Sequence, residues 1–274
     1  AQMYRRFGSA VTVIERGSAL ISREDGDVSE AILEILTKEG IDVRLGAGVD
    51  RVEKRGDDVV VHIRQGDVAS EIGGSHLLVA TGRRPNTDDL GLDRAGIEMD
   101  ERGFISVDDQ LQTNVPGIWA MGDCNGRGAF THTSYNDFEI IATNLFDNDP
   151  RRVSDRIPCY GLFVDPPLGR VGMTEAQVRE SGRNVLVGKR LMADVGRAKE
   201  RSETDGFMKV YVDADSQEIL GAAILGIGGD EVVHALLDVM YAKAPYTVIQ
   251  RAMHIHPTVS ELVPTMLGEM EPLT

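Results

Sequence analysis

The order of apolar patterns near the amino terminus constrains the fold more than any other feature of the sequence. Residues 10–15 read Ala-Val-Thr-Val-Ile-Glu, a β-branched run typical of a strand buried on both faces. Apolar residues at helical spacing predict a helix over about 28–39, and residues 41–45 predict a second strand. A small meander and a buried run at 76–80 follow. Strand, helix, strand and meander together predict half of a doubly wound dinucleotide-binding domain.

The rest of the chain divides into two stretches of different texture. Turn signals with Gly and Pro dominate residues 83–150, whereas residues 151–274 have the pattern of an independent α+β domain. The expected elements are a helix over about 134–147 with Phe138 and Leu145 on its apolar side, a helix that begins with a Thr174/Gln177 capping box, and a strand at 219–225. The predicted fold class is α/β, with an incomplete Rossmann-like domain first and an α+β domain last.

Composition excludes several classes of protein. The chain has 29 Lys and Arg against 44 Asp and Glu, so its net charge of -15 would repel nucleic acid or an anionic membrane surface. Cys124 and Cys159 are too far apart for a CxxC pair, which leaves no disulfide framework and no Cys-rich metal site. No apolar run approaches the roughly 20 residues of a membrane helix. We therefore expect a soluble cytoplasmic protein with structural cysteines.

Glu15 ends the first predicted strand. In a dinucleotide-binding fold, an acidic side chain at this place accepts hydrogen bonds from the adenosine ribose, about 20 residues beyond the start of a glycine fingerprint. A surface carboxylate that merely ends a strand is the alternative. Arg16 and Arg23 could receive a 2′-phosphate, whereas Glu15 favours NAD over NADP.

Two further strand ends carry residues suited to a cofactor. Gly82 directly follows the run at 76–80, where a glycine would let the backbone approach a cofactor closely, although a plain turn has the same pattern. Asp123 follows Gly122 at the end of another apolar run. Its carboxylate could accept hydrogen bonds from a polyol or simply cap the next turn.

A histidine and a glutamate near the carboxyl terminus are candidates for acid-base chemistry. Pro257 prevents a helix from running through His256, and Ser260 would cap a helix that presents Glu261 in its first turn. A carboxylate beside an imidazole fixes its tautomer, as a general acid or base requires. The alternatives are a histidine that is merely satisfied at a helix start and a metal site made by His254, His256 and Glu261.

Three segments, taken in this order, resemble the FAD-containing pyridine nucleotide-disulfide oxidoreductases, the family of glutathione reductase, dihydrolipoamide dehydrogenase and mercuric reductase. They are ATGRRPN at 80–86, WAMGD at 119–123 and HIHPTVSE at 254–261. FTHTSYND at 130–137 and DPPLGRVGMTE at 165–175 look most like the mercuric-reductase-like branch, which includes the reactive-chlorine-resistance flavoproteins.

The resemblance implies that the cofactors are FAD and NAD(P). By this likeness Glu15 would bind the NAD ribose, while Val49 and Gly82 would line the nicotinamide nucleotide. Asp123 would hold the ribityl or diphosphate region of FAD. The residues that pass beneath the flavin would be Ala129, Phe130, Thr131 and His132.

The same likeness implies roles for the carboxyl-terminal part and for the domains. His256 and Glu261 would protonate or deprotonate a redox cysteine of the other subunit of a homodimer. Residues 1–82 would be a partial NAD(P)-binding domain, 83–150 the carboxyl-terminal part of an FAD-binding domain, and 151–274 the dimerisation domain.

Two motifs of the family are missing from the chain. There is no GxGxxG preceded by a strand and no CxxxxC redox pair. We therefore expect the carboxyl-terminal portion of a longer flavoprotein, inactive by itself, which passes electrons from NAD(P)H through FAD and a redox disulfide to a disulfide or metal-ion substrate. The alternatives are a non-catalytic module for dimerisation and nucleotide contact, and a flavoprotein without the disulfide that reduces quinones or oxygen.

Overall fold

The computed structural model describes residues 1–274, which form two units. Residues 1–77 and 157–274 together make the first unit, and residues 78–156 make the second. The first unit is thus discontinuous in sequence. None of the helices combines the length and the apolar character needed to cross a lipid bilayer.

The predicted βαβ pattern at the amino terminus is confirmed. The elements are helix α1 (Gln2–Arg6), strand β1 (Thr12–Ile14), helix α2 (Gly26–Lys38) and strand β2 (Asp42–Arg44). β1 and β2 pair in parallel, with Val13 opposite Val43, and α2 connects them. The buried side of α2 consists of Val28, Ser29, Ile32, Ile35 and Leu36. Their spacing follows the helical period on which the prediction rested.

An antiparallel meander follows, but the strand predicted at 76–80 does not form. The meander consists of β3 (Ala47–Arg55), β4 (Asp58–Gln65) and β5 (Val68–Gly74). Leu78 and Val79 are 73% and 70% exposed. An apolar run becomes a strand only where a neighbour accepts its backbone hydrogen bonds, and the parallel sheet here contains β1 and β2 alone.

The second unit contains one long helix, α3 (Thr131–Ala142), among turns and short 3₁₀ segments. The helix predicted over 134–147 starts earlier and passes into a π-helical turn over 143–147. The apolar side predicted for it is wrong, because Phe138 and Leu145 are 49% and 46% exposed. The side that is buried carries Thr133, Asp137 and Ile140, since polar contacts with a neighbouring turn decide which face points inward.

The carboxyl-terminal part of the first unit is built on a six-stranded antiparallel sheet in the order β11-β8-β9-β10-β7-β6. Its elements are β6 (Cys159–Leu162), β7 (Leu168–Gly172), α4 (Glu175–Glu180), β8 (Val185–Leu191), α5 (Gly196–Arg201), β9 (Phe207–Asp213), β10 (Ile219–Leu225), α6 (Gly229–Tyr241), α7 (Thr247–Gln250), α8 (Val263–Gly268) and β11 (Glu271–Pro272). The strand at 219–225 and the Thr174/Gln177 capping box are both confirmed.

The central strands of this sheet are covered on both faces. On β9, Met208 and Val210 join a core that includes residues of α6, whereas Phe207 joins a core made with α2. Alternation along the strand therefore turns Lys209 and Tyr211 toward the α2 side. The amino-terminal βαβ element and the carboxyl-terminal sheet share one hydrophobic core in this unit.

Candidate functional site

Glu15 lies where β1 ends and the chain turns toward β3. Its N–H donates to the carbonyl of Arg44 and its carbonyl accepts from the N–H of Ala47, both at 2.9 Å. Its Oε1 accepts the N–H of Gly17 at 2.6 Å, which orients the carboxylate and leaves Oε2 without a hydrogen bond from the protein. Val49 follows two residues after Ala47 on β3 and is 53% exposed. Glu15 therefore lies against the start of β3, the strand that carries Val49.

The two arginines near Glu15 have different surroundings. The Arg23 guanidinium carbon lies 5.4 Å from the centroid of the Tyr160 ring, so Arg23 packs on the carboxyl-terminal sheet. Arg16 is exposed.

In the second unit, an open pocket of about 670 Å³ collects most of the residues predicted to contact the flavin. Asp123, Ala129, Phe130 and Thr131 line it together with Arg83, Met121, Ser134, Tyr135 and Phe138. Arg83 Nη2 lies 3.8 Å from Asp123 Oδ2, and both side chains are half-exposed or more. A volume of this size is in the range of cofactor sites.

Gly82 and His132 border this pocket without lining it. Gly82 precedes Arg83 and has a φ of +119°, a value that favours glycine. The ring of His132 stacks on that of Phe130, with centroids 5.2 Å apart and an interplanar angle of 12°.

The turn that carries Asp123 is fixed by its neighbours. Gly122 has a φ of +79°, and a Cβ there would lie 2.9 Å from Ser134 Oγ, so a glycine is required. The Cys124 thiol donates to the carbonyl of Met121 at 3.3 Å, and burial raises its pKa. A neutral, hydrogen-bonded thiol is consistent with a structural Cys124.

His256 and Glu261 form the pair that the sequence predicts. His256 Nδ1 lies 2.8 Å from Glu261 Oε2, with the imidazole 80% and the carboxylate 15% exposed. With Nδ1 directed at the carboxylate, Nε2 is the nitrogen that meets solvent. Ser260 does not cap the following turn as predicted. Thr258 Oγ1 accepts the N–H of Glu261 at 3.2 Å instead, because Thr258 stands three residues before it.

Arg197 holds the same loop and was not foreseen. Its Nη2 and Nε donate to the carbonyl of Pro257 at 2.7 and 3.1 Å. His254 differs from His256, because its Nδ1 is buried and has no hydrogen-bond partner. No three His, Cys, Asp or Glu side chains are grouped as a metal ion would need.

A buried ionic cluster links the segment before α2 to the carboxyl-terminal sheet and was also missed. Arg170 Nη2 lies 2.6 Å from Glu24 Oε2 and 2.9 Å from Asp25 Oδ2. All three side chains are at most 1% exposed. Burial alone would raise the pKa of Asp25, but the Arg170 charge and the N–H of Glu175 hold that pKa below its ordinary value.

Lys209 completes the cluster from β9. Its Nζ lies 3.0 Å from Asp25 Oδ2 and 2.5 Å from Asp27 Oδ1. The Tyr211 hydroxyl lies 3.0 Å from Asp25 Oδ2 and 3.1 Å from Glu175 Oε2, so its single proton is shared between the two carboxylates. Burial and these two carboxylates raise the pKa of Tyr211, so its phenol stays neutral. The cluster ties the segment that follows Glu15 to the sheet.

Comparison with known proteins places the chain in a family. Residues 1–137 match the sequence profile of the pyridine nucleotide-disulphide oxidoreductases, and residues 159–267 match that of the dimerisation domain of the same family.

Individual relatives agree with this assignment. The chain is 39% identical over 263 residues to the probable pyridine nucleotide-disulfide oxidoreductase RclA of Escherichia coli (strain K12), covering 95% of the chain and 58% of that protein. It is 34% identical over 262 residues to a dihydrolipoyl dehydrogenase of Cupriavidus necator, covering 95% of the chain and 55% of that protein. It is 32% identical over 261 residues to a mercuric reductase of Streptomyces lividans, with the same coverage of each.

Solved structures give the same result. The HOCl-induced flavoprotein disulfide reductase RclA from Escherichia coli superposes with a TM-score of 0.91 at 36% identity, over 98% of this chain and 61% of that one. A Cu(II) complex of the same reductase superposes with a TM-score of 0.91 over 97% of this chain and 60% of that one, also at 36% identity. The chain thus spans somewhat more than half the length of the relatives it matches, and it belongs to the pyridine nucleotide-disulphide oxidoreductase family.

Proposed function

We propose that the chain serves a flavoprotein that passes electrons from NAD(P)H through FAD and a redox disulfide to a disulfide or metal-ion substrate, with His256 and Glu261 as its proton carrier. The observation that carries the proposal is the 2.8 Å contact between His256 Nδ1 and Glu261 Oε2. Glu261 orients the ring, Nε2 is exposed, and Arg197 and Thr258 hold the loop, so the imidazole is set to exchange a proton with a thiolate outside the chain.

The pocket of the second unit fits FAD. Asp123 offers an exposed carboxylate for ribityl hydroxyls, Arg83 a cation for the diphosphate, and Phe130 an apolar surface for the ring system. Gly122 keeps the backbone free of a Cβ at the turn. When bound, FAD supplies the acceptor for hydride from the nicotinamide and the donor of electrons to the disulfide. The chain's own part is to bind and orient it and to handle the proton.

Glu15 supports NAD as the reductant. Its Oε2 is open to a ribose hydroxyl, and an anion at this place would repel a 2′-phosphate. Arg16 and Arg23 are both exposed cations near Glu15, and Arg23 also stacks over the Tyr160 ring.

The domain assignment completes the proposal. Residues 1–82 contribute to an NAD(P)-binding domain and 83–150 to an FAD-binding domain, while residues 151–274 form the dimerisation domain of a homodimer. The match of residues 159–267 to the dimerisation profile supports the last of these. The Cu(II) complex of the Escherichia coli reductase supports keeping metal ions among the candidate substrates.

The test is His256→Gln in the whole gene product that contains the chain, with His76→Gln as the matched control on an exposed histidine. We expect turnover of an aromatic disulfide with NADH to fall by about 10²–10⁴-fold, the usual contribution of a general acid or base. Flavin content and the reduction of the flavin by NADH should be unchanged. Equal turnover of His256→Gln and wild type would refute the role of His256, and a colourless wild-type protein would refute the flavoprotein assignment.

A further inference from the structure

The side chain of Asp137 is the charged group on the buried face of α3. It is 1% exposed, whereas a lone carboxylate is stable in such a place only when it is neutralised and hydrogen-bonded. Both conditions are met from elements outside the helix. Arg156 Nη2 donates to Asp137 Oδ1, and Arg156 Nε donates to Asn136 Oδ1 at 2.9 Å.

The other carboxylate oxygen holds the turn that carries Asp123. Asp137 Oδ2 accepts the N–H of Gly122 and the Nδ2 of Asn125, each at 2.8 Å. The same Asn125 Nδ2 donates to the carbonyl of Ala120 at 3.1 Å. One oxygen atom therefore anchors the turn on both sides of Asp123.

This anchoring fixes the position of a side chain that Asp137 does not touch. Asp123 is 50% exposed at the pocket, while its two flanking anchors, Gly122 and Asn125, are buried. A ligand-binding group gains affinity when supporting hydrogen bonds hold it in place before the ligand arrives. A carboxylate oxygen suits this task because it accepts hydrogen bonds, and both groups that face Oδ2 are donors.

We propose that Asp137 is a positioning residue for flavin binding, acting through Gly122 and Asn125 to hold the Asp123 carboxylate at the pocket, with Arg156 paired to its other oxygen. The inference rests on the proposed binding of FAD and adds to it a residue that does not itself line the pocket. It gives the buried face of α3 a role beside that of the residues of α3 that line the pocket.

The test compares variants of the whole gene product, each stripped of flavin and titrated with FAD by fluorescence. Asp137→Ala removes three charge-assisted hydrogen bonds, and we expect the Kd for FAD to rise about ten- to hundredfold. Asp147→Asn, on an exposed carboxylate of the same unit, is the matched control and should leave the Kd unchanged. Amide hydrogen exchange over residues 121–126, measured without FAD, should be faster in Asp137→Ala and unchanged in the control.

A rescue variant separates positioning from general damage. In Asp137→Asn alone, the new amide must aim its N–H₂ either at Arg156 or at the donors of the turn, so affinity should be lost. In Asp137→Asn with Arg156→Gln, the amide oxygen can face the turn and its N–H₂ can face the introduced glutamine, so slow exchange and FAD affinity should both return. Asn125→Ala, which leaves the ion pair intact, should give a smaller rise in Kd.

The outcomes are distinguishable. A wild-type protein that binds no FAD overturns the proposed function. A wild type that binds FAD while Asp137→Ala binds it equally well overturns the positioning role alone. Slow amide exchange in the double variant without recovery of its affinity for FAD also overturns the positioning role, because the turn would then be ordered without contributing to flavin binding.

Discussion

Replacing Arg170 with methionine tests the buried ionic cluster, because it removes the charge and keeps an unbranched side chain of comparable length. Glu24 would lose the Nη2 and Nε contacts at 2.6 and 3.0 Å, and Asp25 would lose one at 2.9 Å. Asp25 would keep Lys209 at 3.0 Å, whereas Glu24 would keep only an uncharged partner, the Tyr160 hydroxyl that donates to its Oε1. The variant thus leaves one buried carboxylate without a counter-charge.

The expected cost follows from that single charge. Removing one partner of a buried ion pair lowers the free energy of unfolding by about 3–5 kcal/mol. For a chain of this size, each kcal/mol corresponds to about 2–4 °C, so the Tm should fall by roughly 6–20 °C. The assay is far-UV circular dichroism, monitored during a urea titration and during a thermal melt.

Two further variants test whether the unpaired charge of Glu24 causes the loss of stability in Arg170→Met. Arg44→Met removes an equally close but half-exposed pair with Asp42 and should cost about 0–1 kcal/mol. Glu24→Gln added to Arg170→Met should recover part of the loss, since it removes the orphaned charge. An Arg170→Met variant within 1 kcal/mol of wild type, or a double variant no better than the single one, would show that the pairing of Glu24 does not matter as described.

Two predictions concern the rest of the cluster. The pKa values of Asp25, Asp27 and Glu175 are lowered, because neighbouring cations and hydrogen bonds outweigh burial, which alone would raise them. These carboxylates therefore stabilise the fold above about pH 4, and this stabilisation is lost as the pH falls below it. Urea midpoints measured from pH 7 to pH 3 should therefore decline steeply in acid, and a flat profile would contradict this. Tyr211→Phe leaves two carboxylates without their phenolic donor and should cost about 1–3 kcal/mol, measured by the same titration. A cost near zero would mean that these hydrogen bonds are replaced by water.

The elements that could be predicted are those whose signal is local. The helical spacing before Gly40, the Thr174/Gln177 box and the apolar run at 219–225 each depend on neighbouring residues alone, and all three form as expected. The run at 76–80 has an equally good local pattern, but it forms no strand because pairing requires a partner elsewhere in the chain.

The residues of the candidate site also divide into those that have a local sequence signal and those that have none. His256 and Glu261 are five residues apart, so their contact follows from a turn and could be foreseen. Asp137 looks like a surface residue of a helix until the turn at Gly122 is known to face it. Arg170 is 146 positions from Glu24, and no spacing rule connects charges at that separation.

The discontinuous first unit has a consequence for synthesis. Lys209 lies 182 positions after Asp27, so at about 5–20 residues per second a ribosome needs roughly 10–40 s between them. During that interval the acidic segment before α2 has no sheet to dock on and stays hydrated. Residues 78–156 are made before Lys209, so every residue of the inserted unit is present while its host still lacks the strand that carries Lys209. The discontinuous unit is therefore completed only after the unit inserted in it.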